Sequence, residues 1–337
     1  ADTGKFYVYL HGFLLAMLGL VVADNLLAMF VFWELTTLIS YLLIGFECEW
    51  ETARQNARQA LLVTGAGGLA LLVGFLLLGN IADTYNLSQI SLQSGIIKAD
   101  PLYLAVLVMV FTGSFTKSAQ FPFHFWLPNA MTAPTPISAF LHSATMVKAG
   151  IYLLARLHPI LGGTSAWMGT LVVFGGITAL LGSVLAMQAT DLKRILAFTT
   201  LMALGILTMF LGGKTTPALT AAMTFLMVHS LYKCSLFLVV GIIDHQTGTR
   251  MIDGLGGLLK SMPITAFAAA TAALSMAGFP LFFGFIGKEI MYKGALTEEM
   301  FPLFATTAAL LANSLMAAVA ALLIIKPFLG AARSTPL

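Results

Sequence analysis

Ten long apolar runs occupy most of this 337-residue chain and leave only short polar stretches between them. A helix needs about 20 apolar residues to cross the hydrocarbon core of a bilayer, and these runs suit that length. They are rich in Leu and Ala and lack the alternation that membrane-spanning strands require. The sequence therefore predicts an all-α, polytopic membrane protein with about ten transmembrane helices. The runs lie near residues 6–23, 26–45, 60–79, 102–119, 135–157, 166–187, 192–213, 217–243, 261–296 and 300–325.

The composition excludes the usual soluble classes. Of all residues, 59% are hydrophobic and 9% are charged, against about 25% charged in an ordinary soluble domain. The net charge of +3 is small, and no basic run suggests a nucleic-acid partner. Cys48 and Cys234 lie far apart without metal-ligand spacing, so neither a disulfide nor a metal site is predicted. Because the chain opens on Ala1 and closes soon after a long apolar run, we expect it to be a piece of a longer protein.

The lysines and arginines of the connecting segments divide unevenly between the two faces of the predicted bundle. Positive charge collects in cytoplasmic loops, so the richer face should be cytoplasmic. We therefore expect the segments 46–59 and 244–260, and both ends of the chain, to face the cytoplasm. The richer face carries Lys5, Arg54, Arg58, Lys193, Arg194, Arg250, Lys260, Lys326 and Arg333, and the poorer face carries Lys98, Arg156, Lys214 and Lys293.

Prolines interrupt the fourth and the ninth apolar runs, at Pro122 and Pro280. Proline removes a backbone donor and clashes with the preceding turn of a helix. We therefore expect non-helical backbone within residues 117–123 and near residues 277–281. Backbone of that kind is tolerated at membrane depth only where protein covers it, so both breaks should be buried.

The two breaks divide the chain into similar halves. Each break falls on the fourth helix of a group of five, and five is odd, so the second group must enter the membrane in the opposite sense. The sequence thus predicts two inverted five-helix repeats, residues 1–160 and 161–337. Paired broken helices in such repeats indicate a transport site near the midplane of the membrane.

Apart from the lysines and arginines assigned above to the two faces, six charged residues lie inside the apolar runs. A lysine at the bilayer centre costs about 2.5–3.5 kcal/mol even on permissive insertion scales. The presence of four such lysines therefore predicts that they have a function. Snorkelling toward polar surroundings is the alternative for Lys117 and Lys288, whereas Lys148 and Lys233 lie near the centres of their runs. The six residues are Glu34, Lys117, Lys148, Lys233, Lys288 and Glu289.

Proton transfer gives such lysines a purpose. Burial disfavours the ammonium form and a nearby carboxylate favours it, so a lysine balanced between the two can take up and release a proton. Glu34 is the expected partner of Lys117, and Glu289 adjoins Lys288.

Two histidines are expected to extend this set. His229 precedes Lys233 by four residues, which places both side chains on one helix face. His142 shares the fifth run with Ser138 and Thr145, shortly before the lysine of that run. Histidine titrates near neutral pH, which suits a proton relay.

The sequence carries no motif for a cofactor. It has no dinucleotide-binding glycine fingerprint, no P-loop, no paired-cysteine cluster and no metal-binding histidine motif. We therefore expect no cofactor, no metal and no enzymatic reaction on this chain. Energy for transport should come from an ion gradient or from partner subunits.

Four stretches carry a family resemblance, and they are residues 116–122 (TKSAQFP), 133–138 (APTPIS, with His142 following), 191–194 (DLKR) and 229–233 (HSLYK). They resemble the proton-translocating antiporter module shared by respiratory complex I and the multisubunit Mrp cation/proton antiporters. The similarity runs over essentially the whole chain and is greatest to the large A-type component of Mrp, since Lys148 stands where the complex I subunit usually has an uncharged residue.

The resemblance implies roles for particular residues. It makes Glu34 and Lys117 the charged pair of one half-channel, Lys233 with His229 the central relay, and Lys288 the lysine of the second broken helix. It also implies the inverted five-helix repeat.

Two positions depart from the complex I subunit. The run 65–68 lacks the acid found there in that subunit, and Phe225 stands where its relay helix has a histidine. The detailed proton route is left open by both departures.

Three functions follow from these observations. The first is a subunit of a multisubunit Na⁺ (cation)/H⁺ antiporter in a bacterial cell membrane. The second is a proton-pumping membrane subunit of a redox-driven complex, either an NADH:quinone oxidoreductase or a membrane-bound hydrogenase. The third is a structural subunit that only holds others, which the buried lysines disfavour.

Overall fold

The structure, a computed structural model, describes residues 3–297, 299–331 and 333 and contains no strand within that part of the chain. Short helical turns occupy the connections 87–99 and 123–132. The main helices are α1 Thr3–Val22, α2 Leu26–Ile44, α3 Glu51–Ala82, α4 Tyr103–Lys117, α5 Thr135–Ser143, α6 Ala149–Leu161, α7 Ser165–Gln188, α8 Leu192–Gly212, α9 Thr216–Thr247, α10 Pro263–Ala277, α11 Phe283–Leu296 and α12 Pro302–Phe328.

Each apolar run of the sequence corresponds to one or two of these helices. Within the described residues, eight segments are long and apolar enough to cross a membrane, taking α5 and α6 together. Helices α4 and α10 are shorter apolar helices of 15 residues each, and both stop at a break. The expectation of an all-α protein with about ten membrane segments is confirmed.

Helix α8 forms the centre of the molecule. Every one of its residues except Arg194 is buried, and α6, α7, α9 and α12 pack around it. Glycines on α7 and α8 permit the closest approach, because a Cβ at Gly182 or Gly205 would overlap the backbone of the opposite helix. Small residues at helix contacts are the usual way in which membrane helices pack without a hydrophobic driving force between them.

Two connections of the bundle repeat the same local design. Asn25 caps the N-terminus of α2 with its side chain and pairs with Asn86 in an isolated antiparallel bridge. Asp191 caps the N-terminus of α8 in the same way and pairs with Met251 in a second bridge. The first and third connections of each half are therefore tied together alike, by a cap residue before the second helix of each group of five.

The two proline breaks lie where the sequence predicts them, but they differ in burial. Helix α4 ends at Lys117 and α10 at Ala277, and non-helical backbone follows at 118–122 and 278–282. The first break begins buried, with Ser118 1% exposed, and becomes exposed at its proline. The second is open on this chain, with Leu281 99% exposed. Within the described residues of this chain, the predicted cover is therefore found only at the start of the first break.

A third break was not predicted from the sequence. The fifth run is interrupted at Ala144 and Thr145, which separate α5 from α6, and a 3-10 turn follows before α6 begins. The Thr145 hydroxyl donates a hydrogen bond to the carbonyl of Phe140, 2.7 Å away, and so satisfies a carbonyl that the helix no longer uses. Neither proline nor glycine marks this position, which is why the run reads as one continuous helix.

Candidate functional site

Lys117 is the last residue of α4, and its side chain crosses to α2. The side chain is fully buried. Its ammonium donates to the Trp33 carbonyl at 3.1 Å and to the Thr37 hydroxyl at 2.7 Å. The ammonium also lies 5.1 Å from the centre of the Trp33 ring, within reach of a cation–π contact. Neutral groups of one helix therefore solvate this charge.

Glu34 lies beside Lys117 but does not bond to it. The five ion pairs of the described residues do not include either side chain. The Glu34 carboxylate instead points at α3, where a Cβ added to Gly68 would overlap its Oε1, and that oxygen is buried without a hydrogen-bond partner among the described residues. The two charges are close enough to interact through space. Glu34 and Lys117 are therefore neighbours, as expected, but they do not form a salt bridge.

Hydroxyl and indole groups hold the backbone of the first break. The Ser118 hydroxyl donates to the Val147 carbonyl at 2.6 Å and accepts from the Ile151 amide at 3.2 Å. The Trp126 indole donates to the Thr116 carbonyl at 2.9 Å. Because Val147 and Ile151 flank the start of α6, the first and third breaks are locked to one another.

Lys148 occupies the 3-10 turn after the third break and reaches α9. It is 4% exposed. Its ammonium donates to the Leu226 carbonyl at 3.1 Å and also to the Ser230 hydroxyl. The break in the fifth run is what turns this lysine toward α9.

Lys233 lies on α9 and reaches the central helix α8. It is fully buried. Its ammonium donates to the Leu196 carbonyl at 2.8 Å and also to the Thr199 hydroxyl. Thr199 and its counterpart Thr37 were missed in the sequence, although each belongs to a Thr-Thr pair in an apolar helix, and such hydroxyls are a signal of this kind of contact.

His142 and His229 are fully buried, and both ring nitrogens of each have no hydrogen-bond partner among the described residues. His229 is close enough to Lys148 and to Lys233 to interact electrostatically with both. His142 packs against Trp126, with ring centres 6.5 Å apart. Buried imidazoles without a protein partner retain the capacity to accept and donate a proton.

The second break places Lys288 differently from the other lysines. It is half-buried and donates to the Ala277 carbonyl at 2.8 Å. It lines an open cavity of about 390 Å³, together with Asn313 of α12. Its neighbour Glu289 is exposed and bonds to Lys293 at 3.0 Å, one turn along the helix. Glu289 is therefore exposed on α11, where it lines the same cavity as Lys288, and the expectation that it is buried was wrong.

The remaining predicted positions are structural neighbours of these groups. Ser138 is buried on α5, with its hydroxyl 3.4 Å from the Ala133 carbonyl. Pro122 and Pro280 both lie in their breaks. No group of three or more potential metal ligands occurs among the described residues.

Lys193 corrects the count of loop charges. The sequence places it in a connecting segment, yet it is 3% exposed at the start of α8 and donates to the Ala133 carbonyl at 3.1 Å. Lys193 is the second residue of α8, two positions after the cap residue Asp191. This position directs its side chain inward, and the hydropathy of the sequence alone does not indicate that direction.

Comparison with known proteins assigns the chain to a family. Residues 23–316 match the transmembrane family described as NADH:quinone oxidoreductase/Mrp antiporter. The chain belongs to this family. The buried lysines and both proline breaks all fall inside the matched region, so the family match covers the candidate site.

Two curated relatives show the same relationship. The chain is 47% identical over 296 residues to a probable K⁺/H⁺ antiporter A/B subunit of Rhizobium meliloti, covering 88% of this chain and 30% of the relative. It is 46% identical over 314 residues to the A subunit of the Na⁺/H⁺ antiporter of Bacillus subtilis, covering 90% of this chain and 39% of the relative. The chain thus spans between about a third and two fifths of the length of these relatives.

Solved structures share the fold. A chain of the Mrp complex from Dietzia sp. DQ12-45-1b superposes with a TM-score of 0.91 at 42% identity, over 96% of this chain and 36% of that one. A chain of the archaeal membrane-bound sulfane sulfur reductase superposes with a TM-score of 0.83 at 24% identity, over 96% and 67%. The second likeness concerns the fold alone.

Proposed function

We propose that this chain is the proton-translocating core of one subunit of a multisubunit Na⁺ (cation)/H⁺ antiporter in a bacterial cell membrane. Its similarity to proteins named as A subunits of such antiporters supports the class of transporter. The observation that carries the proposal is a set of buried titratable side chains inside a bundle of membrane helices, to which no carboxylate of the described residues is bonded. These are Lys117, His142, Lys148, His229 and Lys233.

The arrangement of the set supports a relay. His229 interacts electrostatically with both Lys148 and Lys233, so a proton that reaches any one of the three groups changes the charge next to the others. Charge held by one lysine disfavours charge on the next, which makes each group release its proton as another approaches. Glu34 with Lys117 begins the series at the first break, and Lys288 lies at the second.

The halves of the chain support the same proposal at larger scale. We take residues 1–160 and 161–337 as two inverted five-helix repeats, each with a half-channel that ends at its broken helix. Support comes from the matching capped connections before α2 and α8 and from a break in the fourth helix of each half.

A proton-pumping membrane subunit of a redox-driven complex is the second candidate, because the matched family includes NADH:quinone oxidoreductases. The partners differ between the two. An antiporter has other membrane subunits as its partners and moves protons and Na⁺, whereas a redox complex adds iron–sulfur proteins. The genes beside this one separate the candidates.

Lys117 provides the test of the proposal. The whole antiporter complex carrying Lys117→Ala, Lys117→Arg or Glu34→Ala is assayed for Na⁺-driven proton exchange in everted membrane vesicles with a pH-sensitive dye. All three variants should abolish exchange while the complex still assembles, because a guanidinium stays protonated and hands no proton on. Joining Glu34→Ala to Lys117→Ala should do no further harm, since the pair acts as one unit.

The matched control is Lys260→Ala, which removes an exposed lysine and should leave exchange unchanged. Full exchange by the Lys117→Arg complex would show that the charge at this position is structural, and the proposed relay would then be wrong.

A further inference from the structure

A cavity lies at the end of the molecule where the connection after α2 meets the last turns of α9. Its volume is about 630 Å³. Its lining combines apolar residues with polar and charged groups from four separate parts of the chain, and the polar and charged groups include Glu47, Thr135, Lys193, Asp244 and His245. A cavity with this lining is suited to water and small cations.

Lys193 lies on the inner wall of this cavity. Its side chain is almost completely buried, and its ammonium is bonded to the Ala133 carbonyl. Burial and the nearby Arg250 disfavour its positive charge, and the carboxylates of Asp244, Asp191 and Glu47 partly offset them. A lysine in the first turn of a helix normally extends into water. The inward hydrogen bond from Lys193 to a loop carbonyl is therefore unusual and indicates a structural role for this side chain.

Ala133 lines the cavity and lies two residues before α5, the helix that carries His142. The hydroxyl of Ser138 also approaches this carbonyl, at 3.4 Å. One helical turn further along α5 is His142, whose ring nitrogens have no partner among the described residues. The segment 133–138 therefore runs from the wall of the cavity toward a buried titratable group, and Lys193 holds its first residue.

We propose that this cavity is the aqueous entrance toward His142 and that Lys193 is the positioning residue that closes its inner end by holding Ala133. This inference rests on the proposed function for its purpose, which is proton entry. When Lys193 releases the carbonyl, the start of α5 is free to move, and water reaches Ser138 and then His142. The acids at the mouth attract protons and cations to it.

The test measures access to the two positions. Thr135→Cys and Ser138→Cys are introduced singly into the whole complex, with Cys48 and Cys234 replaced by Ser. Vesicles of both orientations are treated with a small water-soluble methanethiosulfonate reagent, and the rate of labelling is followed. Thr135→Cys should react quickly from one face only. Ser138→Cys should react slowly in the presence of Lys193.

Removal of the ammonium should open the path. Adding Lys193→Met should speed labelling of Ser138→Cys by at least about tenfold, as expected for losing one hydrogen bond from a charged donor. Lys193→Arg should keep labelling slow, and Lys260→Ala, which removes an exposed lysine, should leave the rate unchanged.

Two results would overturn the inference. If Thr135→Cys does not react from either face, the cavity is not an aqueous entrance. If Ser138→Cys in the assembled complex reacts equally fast with and without the Lys193→Met substitution, Lys193 closes nothing. Labelling needs no transport, so a complex that lacks cation/proton exchange but shows Lys193-dependent labelling would sink the proposed function and leave this inference standing.

Discussion

The three buried lysines of α4, the third break and α9 are solvated in one common way. Each donates to a backbone carbonyl and a hydroxyl of a neighbouring helix, and the hydroxyls belong to Thr37, Ser230 and Thr199. A lysine has three N–H donors, so two neutral acceptors leave one donor over. A carboxylate in contact would fix the charge, whereas neutral acceptors lower the cost of burial and still permit the proton to leave. This solvation suits lysines that change charge, as the proposed relay requires.

Gly68 tests this design at the scale of one residue. Gly68→Ala should push the Glu34 carboxylate away from α3, because the new Cβ would overlap its Oε1. We expect cation/proton exchange in vesicles to fall at least about tenfold, while the complex still assembles, since alanine favours a helix by up to about 1 kcal/mol over glycine. Gly65→Ala is the matched control on the same helix, because nothing lies within 4 Å of its added Cβ. Equal exchange by the two variants would contradict a role for the position of Glu34.

At the scale of elements, the sequence predicted the helices and two of the breaks, because hydropathy and proline act locally. It did not predict the break at Ala144, which depends on contacts from α9 and α4 to the residues around it. For the same reason the lysines were foreseen as buried, whereas their acceptors on α2 and α8 were not. Helix packing decides which hydroxyl meets which ammonium, and a single sequence does not carry the packing. The exposed position of Glu289 was missed for the same reason.

The first break contains a residue with a strained backbone conformation. Ala119 is buried with φ +50°, a left-handed conformation that costs an alanine about 1–2 kcal/mol. Ala119→Gly relieves that strain but loses a buried methyl group, so the complex should stay within about 1 kcal/mol of its original stability. Ala139→Gly in α5 has only the losses and should destabilise by about 1–2 kcal/mol. Thermal unfolding of the purified complexes measures both, and an equal decrease in Tm would show that Ala119 is unstrained.

The whole molecule has two faces of different charge, and the structure brings the expected cytoplasmic segments together. Glu47 of the connection after α2 and Asp244 near the end of α9 line one cavity, so both segments lie on the same face. The inward direction of Lys193 removes one charge from the count for that face. Eight lysines and arginines then remain on the expected cytoplasmic face and four on the opposite face, so the expected orientation of the chain in the membrane is unchanged.

Labelling from each side of the membrane tests this orientation. Asn56→Cys lies in the first turns of α3, in the segment expected to be cytoplasmic, and Gln89→Cys is its control in the exposed connection after α3. An impermeant thiol reagent added to intact cells should label Gln89→Cys but not Asn56→Cys, and everted vesicles should show the reverse, because α3 crosses the membrane between them. If intact cells label Asn56→Cys instead, the chain is inverted. The 630 Å³ cavity would then open to the outside, and the entrance that Lys193 closes would serve protons arriving from that face.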